Sequence, residues 1–177
     1  FDSVLNKNPY LAIEEFKKLN CKILLSVNTK DTLASKIFFD RVYPNSCSKQ
    51  WKDKYIINTG MYMGYTDDLL KMYEVMLNSY PDVVEDQRLM NLCCGHLEDL
   101  IKLDKNEIIF QNVDWYDRKN VTTTGVFIQY PGSGAGNLWN RLKRVPSDYG
   151  IFFINEIIIF LSLITLIFSI LIKKSIF

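Results

Sequence analysis

Three acids fall within five residues at Asp82, Glu85 and Asp86, and Gln87 follows them directly. Paired carboxylates can deprotonate an acceptor hydroxyl or stabilise a developing oxocarbenium ion. The same acids also suit the start of a helix, where the backbone dipole favours negative charge. Without further context the helix start is the simpler account. Asp2 stands in the opening run Phe1-Asp2-Ser3-Val4-Leu5. An Asp where a strand leaves a sheet is placed to hold a divalent ion beside a diphosphate. Pro131-Gly132-Ser133-Gly134-Ala135-Gly136 forms a glycine-rich loop, with Arg141, Lys143 and Arg144 close behind. Such glycines let backbone N–H groups approach a phosphate while the basic side chains supply countercharge. It is not a Walker loop, because the spacing and the Lys-Ser/Thr pair are absent. A turn leading into a basic segment explains it equally well. Trp115 and Trp139 can line a sugar site, but core filling is the commoner use of the residue.

The elements that must position these groups follow an α/β pattern. Phe1–Leu5 reads as the end of a buried strand. Asn8 caps a helix with Pro9 at its first position, Ala12, Phe16 and Leu19 share its apolar face, and Asn20 closes it. Cys21–Val27 is a short apolar run typical of a central strand. Residues 29–54 are polar and irregular, and read as a long loop over the sheet. Two apolar stretches flank Asn58-Thr59-Gly60. Thr66 caps a further helix with Asp67 and Asp68 in its first turn. Its apolar face carries Leu69, Tyr73, Met76 and Leu77. Another helix runs from Glu85 to Cys94 and stops at Gly95, and strands are expected at 108–110 and 125–129.

The chain has 177 residues and a formal net charge of +1. That suits one domain plus an appendage and gives no support to a nucleic-acid partner. The first residue is Phe1, with no signal-like segment after it, so the chain reads as cut from something longer. Cys21, Cys47, Cys93 and Cys94 form no CxxC pair and His96 is the single imidazole, which makes a structural zinc site improbable. Cys93 and Cys94 read as buried helix thiols, and a Cys21–Cys47 disulfide is open. From Ile157 to Ile172 no residue is charged. Extended back to Ile151, the run reaches roughly 33 Å as a helix, enough for a ~30 Å hydrocarbon core. Lys173 and Lys174 close it and can snorkel at an interface. The expected organisation is therefore a domain over 1–148, a transmembrane helix over 151–172 in contact with a lipid bilayer, and a short cytosolic tail over 173–177. The positive-inside rule puts the domain on the lumenal or external side, and the Asn120-Val121-Thr122 sequon agrees.

Taken in order, these segments resemble the glycosyltransferase domain of procollagen lysyl hydroxylases and related collagen glycosyltransferases. The runs that carry the resemblance are Phe1–Leu5, Lys22-Ile23-Leu24-Leu25-Ser26, Tyr43-Pro44 and Asn58-Thr59-Gly60-Met61-Tyr62-Met63-Gly64-Tyr65. Glu85-Asp86-Gln87, Leu103-Asp104-Lys105, Ile109-Phe110-Gln111-Asn112 and the segment from Pro131 complete them. The resemblance spans nearly all of residues 1–145. It implies a GT-A fold, a mixed α/β sheet that binds a UDP-sugar with Mn²⁺. It implies that Asp2 is the last Asp of the metal motif, with the uridine-binding strands preceding Phe1. Asn58, Gly60 and Gln87 would lie near the donor sugar, Glu85 and Asp86 would be the acidic pair required for transfer, and Lys143 would approach the pyrophosphate.

This sequence departs from the family in three places. The metal-binding His before the glycine-rich loop is Gln129 or Tyr130 here. The acid after the strand ending at Ser26 is replaced by Val27-Asn28, and no Trp occurs between Asn28 and Asn45. No His-x-Asp pair supports a hydroxylase. Two functions follow as expectations. One is a lumenal, single-pass glycosyltransferase of the endoplasmic reticulum or Golgi, moving a hexose from a UDP-sugar to a glycan or protein hydroxyl, such as hydroxylysine. The alternative is a non-catalytic, membrane-tethered module that binds a glycan or a partner protein. A fragment without its nucleotide-binding segment is expected to turn over no UDP-sugar by itself.

Overall fold

The computed structural model describes residues 3–29, 33–44, 46–113, 121–130 and 158–167. Helix α1 (Tyr10–Leu19) begins where Asn8 Oδ1 accepts from the Tyr10 N–H at 3.0 Å. It ends where Asn20 adopts the left-handed conformation at φ 46° and its N–H reaches Lys17 O. Strand β2 (Ile23–Thr29) follows at once. Ile23, Leu24 and Leu25 are all fully buried, so this strand has protein on both faces.

Two small three-stranded sheets result. In the first, β2 lies between β3 (Tyr55–Gly64), antiparallel to it, and β4 (Ile101–Leu103), parallel to it. In the second, β6 (Phe127–Gln129) lies between β1 (Ser3–Leu5), antiparallel, and β5 (Phe110–Asn112), parallel. Alternation along β2 sends its side chains into two cores. Ile23, Leu25 and Val27 pack with Met72 and Met76 of α4 (Thr66–Ser79) and with Met90, Cys93 and Leu97 of α5 (Asp86–Leu97). Leu24 packs on the other side with Ala12, Phe16, Ile109, Phe110 and Val126. The central sheet is thus sandwiched between α4 and α5 on one face and α1 with the second sheet on the other.

A strap joins β2 to β3 and carries α2 (Leu33–Val42) and α3 (Lys49–Lys52). It is fastened to α5 by a Cys47–Cys94 disulfide. Ser46 adds three hydrogen bonds to α5: its N–H to Asn91 O (3.0 Å), its hydroxyl to Leu92 O (2.5 Å), and the Gly95 N–H to its hydroxyl (2.9 Å). A Cβ at Gly95 would lie 2.7 Å from Ser46 O, which explains a glycine inside a helix.

Several expectations are corrected. The single GT-A-like mixed sheet is replaced by two sheets, because β5 meets β2 through side chains rather than through a backbone ladder. The transmembrane helix expected over 151–172 is not found: among the described residues no helix is long and apolar enough to cross a membrane. The described helix α6 (158–167) has ten residues, about 15 Å of rise against a ~30 Å hydrocarbon core. Ser162 and Thr165 return their hydroxyls to Ile158 O and Leu161 O. The rest of that stretch lies outside the described residues. This finding conflicts with a single-pass membrane protein, and the localisation built on the span falls with it. The chain divides into two compact units, Phe1–Gly134 and Ala135–Phe177. The expected boundary at 148 and the 173–177 tail lie outside the described residues.

Smaller corrections concern local structure. Strand β1 is exposed, with Val4 at 46%, where burial was expected. Residues 29–54 hold two helices, not one loop. Thr66 is already helical, with Tyr65 before it at the cap. Helix α5 runs through Gly95 to Leu97, and Cys94 is oxidised with Cys47 while Cys21 and Cys93 are free.

Candidate functional site

The carboxyl ends of parallel strands are where α/β proteins place ligands. Here β5 and β6 end in amides, Asn112 and Gln129, and β2 carries Asn28 one residue before its end. Along β2, polar Ser26 and Asn28 alternate with apolar Leu25 and Val27, so both polar side chains share the face turned toward β5. The Asn112 amide donates to Ser26 Oγ at 2.6 Å and to Val27 O at 2.8 Å. It therefore ties β5 to β2 where no ladder exists.

Strand β3 supplies the remaining part through a bulge. Its register against β2 passes from Leu25↔Tyr62 to Ser26↔Asn58, leaving Thr59, Gly60 and Met61 without partners on β2. Bulges of this kind re-aim side chains beside functional sites. Buried Asn58 holds the bulge by accepting from the Gly60 N–H at 2.7 Å. Its own amide donates loosely to Asn28 Oδ1 at 3.4 Å and to Asn112 Oδ1 at 3.5 Å. Such lengths are weak hydrogen bonds. Gln129 lies over the bulge so closely that a Cβ at Gly60 would stand 2.0 Å from its Nε2. Gln129 Oε1 is buried and has no hydrogen-bond partner among the described residues. Beside this group opens a cleft of about 390 Å³, lined by Ser3, Gly60, Met61, Tyr62, Met63, Phe110 and Phe127.

The structure thus brings Asn58, Gly60 and Gln129 together, and adds Ser26, Asn28 and Asn112, which sequence reasoning left without a role. The period-two polar pair at the end of an otherwise apolar strand was the signal for Ser26 and Asn28.

The acidic pair belongs to a different neighbourhood. Glu85 caps α5, accepting from the Arg88 N–H at 2.5 Å, and partial burial pushes its carboxyl above the usual range. Asp86 Oδ1 accepts from the Gln87 N–H at 2.8 Å. Tyr62 and Tyr73 share a short hydroxyl–hydroxyl hydrogen bond. That bond, then burial and the charge of nearby Asp86, push Tyr73 up to about 12. Since Tyr62 pairs with Leu25, its side chain lies on the helix-facing side of the sheet. Helix α5 is anchored there by Asn91, which accepts from Ile57 N (3.1 Å) and donates to Ile57 O (3.0 Å) and Gln87 O (2.7 Å). The acids are therefore fixed to β3 near its bulge, from the helix side rather than within the amide group.

Asp2, Lys143, Tyr43-Pro44's sequel at Asn45, Trp115, Trp139 and the glycine-rich run 131–136 lie outside the described residues. Whether the described group fits Mn²⁺ is decided by its donors. Neutral amide oxygens are hard ligands but bring no charge to offset a divalent ion, whose sites normally include carboxylates. Asn28 and Asn112 also spend their oxygens on Asn58. Among the described residues no group of three or more His, Cys, Asp or Glu is placed to hold a metal. The described donors do not fit a Mn²⁺ site, and no step is derived through one. Comparison with protein-family models and with curated proteins finds no match to this chain.

Proposed function

We propose that the chain carries the sugar-binding part of a glycosyltransferase that moves a hexose from a UDP-sugar to a hydroxyl acceptor. One observation supports this reading above others: Asn58, Gly60 and Gln129 converge with Asn28 and Asn112 at the strand carboxyl ends, beside an open cleft. Amides both donate and accept, which suits the paired donor and acceptor character of sugar hydroxyls. The bulge brings Gly60 to the wall of that cleft, with the Gln129 amide packed in the space a side chain there would fill. Asp86, next to the Tyr62–Tyr73 pair, is the carboxylate assigned to transfer.

The test is UDP release from UDP-glucose and UDP-galactose, with hydroxylysine peptide as acceptor, by the natural protein containing residues 1–177. Assays run with and without Mn²⁺. Turnover is expected, and Asp86→Asn should lower kcat by more than about 100-fold with little change in stability, as loss of a general base does. Absence of UDP release from every donor sinks the transferase reading. The second reading, a non-catalytic glycan-binding module, draws on Glu85 being engaged as a helix cap and on the neutral donor set. It predicts hexose binding without turnover, and an Asp86→Asn variant that binds as the parent does.

A further inference from the structure

We infer that Tyr62 is the side chain that meets the ligand in the 390 Å³ cleft from the side of α4, and that Tyr73 is the positioning residue that holds it there. The inference rests on the transferase reading above, and it names the contact through which the acid-bearing side of the sheet reaches that cleft.

Strand β3 is an edge strand of its sheet, and Gly60, Met61, Tyr62 and Met63 all line the cleft. Successive side chains of a strand point to opposite faces. A cleft that touches all four therefore wraps around the strand edge and takes in one group from the helix-facing side, which is Tyr62. The Tyr62 hydroxyl is hydrogen-bonded to the hydroxyl of Tyr73, which stands on α4 outside the cleft lining. Both rings are open to solvent, at 37% and 39%, so water is able to satisfy either hydroxyl and burial does not enforce the pairing. What the pairing does is fix a ring and a hydroxyl that would otherwise turn freely. The Tyr62 bond, burial and the charge of Asp86 push Tyr73 up to about 12, so its phenol keeps its proton at neutral pH.

Two hydroxyls with one bond between them leave one O–H to give away. With Tyr73 donating to Tyr62, the Tyr62 O–H is the one that is free for an oxygen in the cleft. Apart from Ser3, the other side-chain walls are apolar: Met61, Met63, Phe110 and Phe127. The ligand class is a ring with an apolar face and an oxygen at its edge, a description that the hexose of a UDP-sugar meets.

The natural protein containing residues 1–177, labelled at its methionine methyls, is titrated with UDP-glucose, UDP-galactose and phenyl β-galactoside. Met61 and Met63 line the cleft, whereas Met72, Met76 and Met90 lie in the core beneath the helices and serve as controls. Binding should move the two cleft resonances and leave the three core ones in place. Tyr62→Phe keeps the ring and should weaken binding about tenfold, the value of one net hydrogen bond. Tyr73→Phe should weaken it about threefold, and should add nothing in a Tyr62→Phe background, because it acts only through Tyr62. A merely structural pair would give additive losses and shift the core resonances. In turnover both substitutions should raise KM and leave kcat in place. Unmoved Met61 and Met63 resonances in the parent, unchanged affinity in Tyr62→Phe, or an additive double variant overturns the inference. UDP-hexose turnover whose KM ignores both substitutions overturns it while leaving the transferase reading intact. Coupled loss of phenyl galactoside binding without UDP-hexose turnover upholds it and sinks that reading.

Discussion

Two buried asparagines next to β3 are used in opposite ways. Asn91, on α5, makes three hydrogen bonds of 2.7 to 3.1 Å to the backbone of Ile57 and Gln87. Asn58, inside β3, makes one firm contact to Gly60 N and two stretched ones to neighbouring amides. The helix-facing side of the sheet is closed and satisfied, with a disulfide across it. The amide side is held by stretched bonds, and it ends in the Gln129 oxygen, which has no partner among the described residues. Folding alone does not favour a half-satisfied network over an apolar one. Places where a local rule is broken inside an otherwise consistent fold are where binding is to be sought.

The comparison breaks most readily at the disulfide. Cys47 and Cys94 are 47 residues apart, and the chain-entropy model assigns such a loop about 4 kcal/mol. Urea unfolding of a Cys47→Ala/Cys94→Ala double variant should show a loss of that order. A loss below about 1 kcal/mol would mean that Ser46 and its bonds to α5 already fasten the strap without the covalent link.

Next in size is the asparagine pair. Asn91→Ala leaves both backbone groups of Ile57 without their partner and should destabilise by about 3 kcal/mol. Asn58→Ala removes one good bond and two poor ones, and should cost about 1 kcal/mol. Equal losses in denaturant titration would erase the distinction drawn between the two faces.

These contrasts bear on how much of the molecule is readable from sequence. Helix α1 was readable at both ends, because Asn8, Pro9 and Asn20 act locally through their own backbone. Strand β2 was readable because an apolar run bounded by polar residues has one simple use. What failed depends on distant partners. Nothing near Cys94 points to Cys47, and Gly95 stops no helix because its missing side chain admits Ser46. Strand β4 has three residues and owes its extended form to pairing with β2. The apolar run after 150 has the composition of a span, yet the described helix within it is too short for one. At the candidate site, Asn58, Gly60 and Gln129 could be singled out by type and order. Their convergence with Asn112 could not, because it depends on a bulge and on the meeting of two sheets.

The smallest expected effect tests how firmly the amide group is held from below. Glu107 lies under β5 at φ 52°, and its Oε1 accepts from the Asn112 N–H at 3.3 Å. Burial raises its carboxyl above the ordinary value, and the Asn112 N–H only partly opposes that. A carboxyl whose pKa is raised on folding binds its proton more tightly in the folded state. Its contribution to stability is then fully present below the unfolded-state pKa near 4.5 and is lost as pH rises through the folded-state value. Glu107→Gln keeps an acceptor for Asn112 and the same backbone strain but cannot titrate. Its stability relative to the parent should therefore improve as pH is raised from 4 to 7, by a fraction of a kcal/mol in thermal melts across that range. A relative stability of the variant that falls as pH rises would mean that the Glu107 charge is favoured, not opposed, beside Asn112.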